Sequence, residues 1–96
     1  MEILVAYDVA TTTATGRRRL RQVAKICEGF GQRVQESVFE CTLTDGQLEL
    51  LEARLLDTIS MSEDNLRLYR LLEPRDRYAR TYGAGPRHDL HDPLLF

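Results

Sequence analysis

Asp8 is the residue of this chain whose type and place suggest chemistry first. It stands in the opening stretch EILVAYDV, where every other residue suits a buried strand, and the threonine-rich ATTTATG follows in place of a charged turn. A carboxylate at a strand end is a hard oxygen ligand, and Mg2+ takes one or two such groups together with waters and phosphate oxygens. The same group can instead cap the loop behind it by accepting hydrogen bonds from the threonine amides. One carboxylate alone makes a poor divalent site, whereas a two-fold dimer turns a single aspartate into a facing pair. The second chemistry-bearing set is arginine. Of the 13 basic residues all but Lys25 are arginine, the side chain whose planar fork binds phosphate through two nitrogens and stays charged at any pH.

The charge is segregated along the chain. Residues 12–33 carry +5 and residues 67–87 carry +4, while 1–11, 34–66 and 88–96 carry −2, −7 and −2. Two basic blocks flanking an acidic one fit either a solvated, ion-paired surface or a local phosphate-binding face on a weakly acidic protein. Cys27 and Cys41 lie in neither CxxC nor Cys/His zinc spacing and are expected as reduced core residues. His88 and His91 form an HxxH pair, but Pro86 and Pro93 flank it and no third ligand is placed, so a metal reading there is weak. No Ser/His/Asp or Cys/His nucleophile set is present.

Alternating elements position these residues. Glu2 to Val9 is apolar on both faces and suits a central strand. From Gly16 to Phe30, Leu20, Val23, Ala24, Cys27 and Phe30 recur at helical spacing, and Gly29 and Gly31 supply the stop. QRVQESVFECTL follows as a strand or strand pair, with Val34 and Val38 on one face and Gln35, Ser37, Phe39 and Cys41 on the other, and with no Gly, Pro or Asn to mark a reversal. Thr44 and Gln47 make a capping box before a helix through Leu48, Leu51, Leu55, Leu56 and Ile59. NLRLYRLL is a last alternating strand that Pro74 ends.

The order strand, helix, strand pair, helix, strand gives an α+β, ferredoxin-like βαββαβ sandwich with both helices on one face of the sheet. The other face is then expected to be open and apolar, which in 96 residues calls for a partner surface and makes a homodimer the simplest cover. Residues 1–78 form the expected domain. Residues 79–96 are richer in arginine, tyrosine, glycine and proline; ARTYG within them suits an extra C-terminal strand, and the tail is expected on the dimer mate or another protein. Neither a membrane span nor a signal segment is visible, so a cytoplasmic protein with no membrane partner is expected.

Motifs within this frame resemble a known family. YDV closing the first strand, an arginine-rich first helix and GFGQRVQESVFE after it are similar to the small CRISPR-associated adaptation proteins, the ferredoxin-like dimeric partners of the CRISPR spacer integrase. The resemblance spans about residues 2–43. It implies that Asp8 is the catalytic residue and metal ligand, holding Mg2+ at a dimer cleft. It also implies nucleic-acid-binding roles for Tyr7 beside it, for Arg18, Arg19 and Arg21 on the helix, and for Arg33 and Phe39 in the second motif. The implied function is spacer acquisition in antiviral defence by a Mg-dependent endonuclease-like dimer acting on RNA or double-stranded DNA. The alternative is a non-catalytic, DNA-holding scaffold subunit of the integrase complex. A ferredoxin-like small-molecule regulatory domain is a third reading, against which the arginine excess weighs.

Overall fold

The computed structural model describes residues 1–84. Its elements are β1 (Glu2–Asp8), α1 (Ala14–Glu28), β2 (Gln32–Gln35), β3 (Val38–Thr42), α2 (Asp45–Thr58), β4 (Asn65–Leu71) and a short helix α3 (Arg75–Tyr78). The strands form one sheet in the order β2-β3-β1-β4, each antiparallel to its neighbours, which is the ferredoxin-like arrangement with β1 at the centre. Alternation along β1 builds the two faces: Ile3, Val5 and Tyr7 are buried against the helices, and Glu2, Leu4, Ala6 and Asp8 point the other way. Phe39 and Cys41 of β3, Val23 and Cys27 of α1, and Leu51 and Leu55 of α2 complete the core.

Local chemistry fixes the helix starts. The Thr13 side chain accepts from the Gly16 amide and opens α1, two residues before the expected Gly16 start. The expected Thr44–Gln47 capping box is present in full. After α1 the chain passes Gly31 tightly against β3: a Cβ there would overlap the Cys41 sulfur and the Glu40 carbonyl.

Three expectations change. The expected strand pair forms as a β2–β3 hairpin that reverses at Glu36–Ser37 without a glycine, with a register shift between Arg33 and Gln35. That reversal leaves Gln35 exposed, while Phe39 and Cys41 do share the buried face. The helix-free face is mixed instead of apolar, because β1 places Glu2 and Asp8 there, β3 places Glu40 and Thr42, and β4 places Arg67 and Tyr69. Finally, no strand forms over Ala79–Gly83 among the described residues: the segment after α3 pairs with none of the four strands of the sheet. The remaining tail, with Pro86, His88, His91 and Pro93, lies outside the described residues.

Candidate active site

The β1 ladder carries Asp8 to the C-terminal end of the central strand, on the face without helices. Its side chain is exposed and takes part in no hydrogen bond or ion pair among the described residues. The loop it was weighed as capping is held by other groups: Asp64 accepts from the Ala10 amide at 3.0 Å, and Thr13 accepts from Gly16. Asp8 is thus free to bind something outside the chain.

The strand beside it adds groups that sequence spacing could not show. Asn65 pairs directly with Asp8, and Arg67, opposite Ala6, shares the face as a diagonal neighbour. The Arg67 guanidinium is held in the plane of β4 by hydrogen bonds to the Asn65 side-chain oxygen and the Tyr69 hydroxyl, both at 3.2 Å. These residues lie 57 and more positions from Asp8 in the chain, and only the pairing of β1 with β4 brings them together. The far end of the same face is closed: Arg75 of α3 donates to Glu2 at 2.9 Å and approaches Glu40 at 3.6 Å.

The arginines expected at nucleic acid separate into distinct environments. Arg18 and Arg21 are exposed and carry no ion pair among the described residues. Arg19, on the side of the same helix that faces the sheet end, is committed to Asp64 and Glu63 at 2.9 and 3.2 Å, with its side chain 13% exposed. Burial by itself would push the Asp64 carboxyl up, but Arg19 together with the Ser60 and Ala10 amides outweighs it and holds the group below the usual carboxylate range.

Tyr7, Arg33 and Phe39 come together, but inside the fold. Phe39 has no exposed surface and its ring stacks with Tyr7 at a centroid distance of 6.3 Å, while the Arg33 guanidinium lies 5.2 Å above the Phe39 ring. Strand alternation is the reason: Tyr7 sits one residue from Asp8 and therefore points to the opposite face, and Phe39 is in register with buried Val5. The aromatic pair accordingly belongs to the core and offers nucleic acid no ring face; Arg33 alone of the three reaches the surface. The Tyr7 hydroxyl and Arg33 Nε are buried without hydrogen-bond partners among the described residues. Burial raises the Tyr7 phenol, with neighbouring Cys27 adding to the effect and Arg33 opposing it. Burial also pushes the Cys27 thiol up to about 12, so it is an inert core group.

The ferredoxin-like sandwich thus sets an unbonded carboxylate at the end of its central strand with the Arg67 guanidinium beside it, a set whose chemistry suits a phosphodiester. Comparisons with known proteins make the class specific. The family model described as CRISPR associated protein Cas2 matches residues 1–78. A protein of Moorella thermoacetica named CRISPR-associated endoribonuclease Cas2 1 is 50% identical over 95 residues, covering 99% of each chain. One from Halalkalibacterium halodurans named CRISPR-associated endonuclease Cas2 is 46% identical over 96 residues, covering 100% of each. The crystal structure of Streptococcus pyogenes Cas2 superposes with a TM-score of 0.78 at 46% identity, covering 86% of this chain and 100% of that one. The chain belongs to the CRISPR-associated Cas2 family.

Proposed function

We propose that this chain is a Mg2+-dependent endonuclease of CRISPR spacer acquisition that works as a homodimer, with Asp8 of each protomer facing its copy. The observation that carries this reading is the exposed, unbonded Asp8 on the helix-free face, with Asn65 paired to it and Arg67 alongside. The donor set suits Mg2+ once doubled: among the described residues no group of three or more His, Cys, Asp or Glu gathers within one protomer, whereas two Asp8 carboxylates and waters match its preference for oxygen ligands.

A bound Mg2+ would supply charge neutralisation at the scissile phosphate and activation of the attacking water. The chain's own residues supply position. Arg67, pre-oriented by Asn65 and Tyr69, is aimed along the face to take a phosphate oxygen, and Arg18 and Arg21 hold the backbone farther along without reading bases. Water adds to phosphorus and gives up a proton to solvent, the bond to the leaving oxygen breaks, and that oxygen takes its proton from solvent, because residues 9–13 and 65–67 around Asp8 contain no histidine or lysine. Slow turnover follows from the missing acid. RNA and duplex DNA both present the phosphodiester this geometry addresses.

The second reading is a DNA-holding scaffold within the integrase complex, with the C-terminal tail docking the integrase subunit. It is favoured by the single carboxylate per protomer and by the exposed arginines on α1. Hydrolysis of RNA and duplex DNA by wild type and Asp8→Asn, with and without Mg2+, separates the two: loss in the variant supports the nuclease, and spacer acquisition that persists without hydrolysis supports the scaffold.

A further inference from the structure

We propose that Asp64 and Arg19 form a positioning clamp for Asp8, and that Arg19 serves the nucleic acid through this clamp and not by touching it. The inference rests on the reading of Asp8 as the acting carboxylate and names what holds it still.

Asp8 has no hydrogen bond of its own among the described residues, so its place is set by the backbone on either side and across the sheet. On the side after Asp8 and across the sheet to β4, that backbone is tied to Asp64. The Asp64 side chain has no exposed surface and accepts from the Ala10 amide at 3.0 Å, from the Ser60 amide at 2.8 Å, and from Arg19 Nε and Nη2 at 2.9 and 3.3 Å. Ala10 lies two residues after Asp8, and Asp64 immediately precedes Asn65, the direct partner of Asp8. Gly16 packs close against the Ala10 carbonyl, where a Cβ would overlap the oxygen. Between them Val9, 6% exposed, plugs into the core. The loop through Ala10, α1 through Arg19 and the start of β4 are thereby tied to one carboxylate at the point where β1 releases Asp8.

A buried carboxylate is tolerated only with a counter-charge and satisfied oxygens, and Arg19 provides the charge. The same Nη2 also donates to Glu63 at 3.2 Å, and Nη1 has no partner among the described residues. Asp64 already holds the Nε–Nη2 edge of Arg19, whose side chain is 13% exposed, while Arg18 and Arg21 on the same helix stand exposed and unpaired among the described residues. An apolar pair would hold the elements together at least as well. What the ion pair adds is direction: two backbone amides aimed at fixed oxygens.

The test measures hydrolysis kinetics and, separately, the salt dependence of binding to a labelled duplex DNA for Arg19→Gln, Asp64→Asn, the double variant and Arg18→Gln. Misplacing Asp8 should lower kcat by about 10- to 100-fold with KM little changed in each clamp variant. The double variant should be no worse than its more severe parent, since both break one device. The slope of log affinity against log salt should be unchanged in Arg19→Gln and flatter by about 0.9 in Arg18→Gln. A slope flattened by about 0.9 in Arg19→Gln, or losses that multiply in the double variant, overturns the clamp. Should Asp64→Asn fail to fold, Arg19→Lys replaces it: an unchanged slope with kcat partly recovered relative to Arg19→Gln supports the clamp, and no recovery of kcat overturns it. Wild-type hydrolysis by Asp8→Asn removes the active-site reading itself, an outcome distinct from a flattened slope in Arg19→Gln.

Discussion

Replacing Phe39 by alanine separates a core ring from a nucleic-acid contact. Phe39 has no exposed surface and is packed between Val5, Tyr7 and the Arg33 guanidinium. Truncating a fully buried phenylalanine costs about 3–5 kcal/mol through lost transfer energy and the cavity left behind, which already includes most of the lost stacking on Tyr7. A domain of this size has roughly 5–15 kcal/mol in total, so about 4 kcal/mol is a large share of it. At about 4–8 °C per kcal/mol, the melting temperature should fall by roughly 16–32 °C. Phe39→Leu, which refills most of the volume, should lose only a fraction of that. The assay is a thermal melt followed by circular dichroism, paired with duplex binding measured below both melting points. Binding by the folded variant should stay within a few-fold of wild type, with the same salt slope. A variant that melts within a few degrees of wild type yet loses duplex affinity would place the ring at the nucleic acid and refute the core assignment.

Other outcomes follow from the same structure. Arg18→Gln and Arg21→Gln should each flatten the salt dependence of duplex binding by about 0.9, as expected for single phosphate contacts, and titrations from low to moderate salt check it. Asp64 has a folded-state carboxyl below its unfolded value, so its stabilisation is present above the ordinary carboxylate range near about 4 and is lost as pH falls through the folded value; Asp64→Asn should show a shallower acid destabilisation in urea melts between neutral pH and pH 3. Thr44→Ala removes one half of the α2 capping box and should cost about 1 kcal/mol without altering nucleic-acid binding, as denaturant midpoints would report. Mg2+ should raise the melting temperature of wild type but not of Asp8→Asn, because a ligand bound only by the folded pair stabilises by mass action and the amide cannot replace the carboxylate; an equal Mg2+ response in both proteins contradicts the shared site.

Much of this architecture was legible from periodicity and end signals. The apolar stretch of β1, the helical spacing of Val23 and Cys27, the Thr44–Gln47 box and the stop at Pro74 each describe a local event, and local chemistry is what a sequence displays. The Glu36–Ser37 reversal was weakly marked because the stretch holds no Gly, Pro or Asn, and hairpin pairing of β2 with β3 supplied what the turn itself lacked. Asp8 stood out as a charge closing an apolar run. The division of labour among its neighbours did not, because it depends on contacts between residues far apart in the chain. Arg18, Arg19 and Arg21 look alike in sequence, and only Asp64, arriving from beyond α2, distinguishes Arg19. Tyr7 and Phe39 sit in motifs beside site residues, yet the two-residue period of a strand turns Tyr7 away from the face that Asp8 occupies. Asn65 and Arg67 became visible only through the β1–β4 register.

The central claim is that the exposed Asp8 carboxylate performs phosphodiester hydrolysis with Mg2+. Its most direct test is the rate of cleavage of RNA and of duplex DNA by purified wild type and Asp8→Asn, each with millimolar Mg2+ and with EDTA. The account predicts cleavage only by wild type and only with Mg2+, with the variant folded and still binding duplex. Equal cleavage by both proteins in Mg2+ would contradict it.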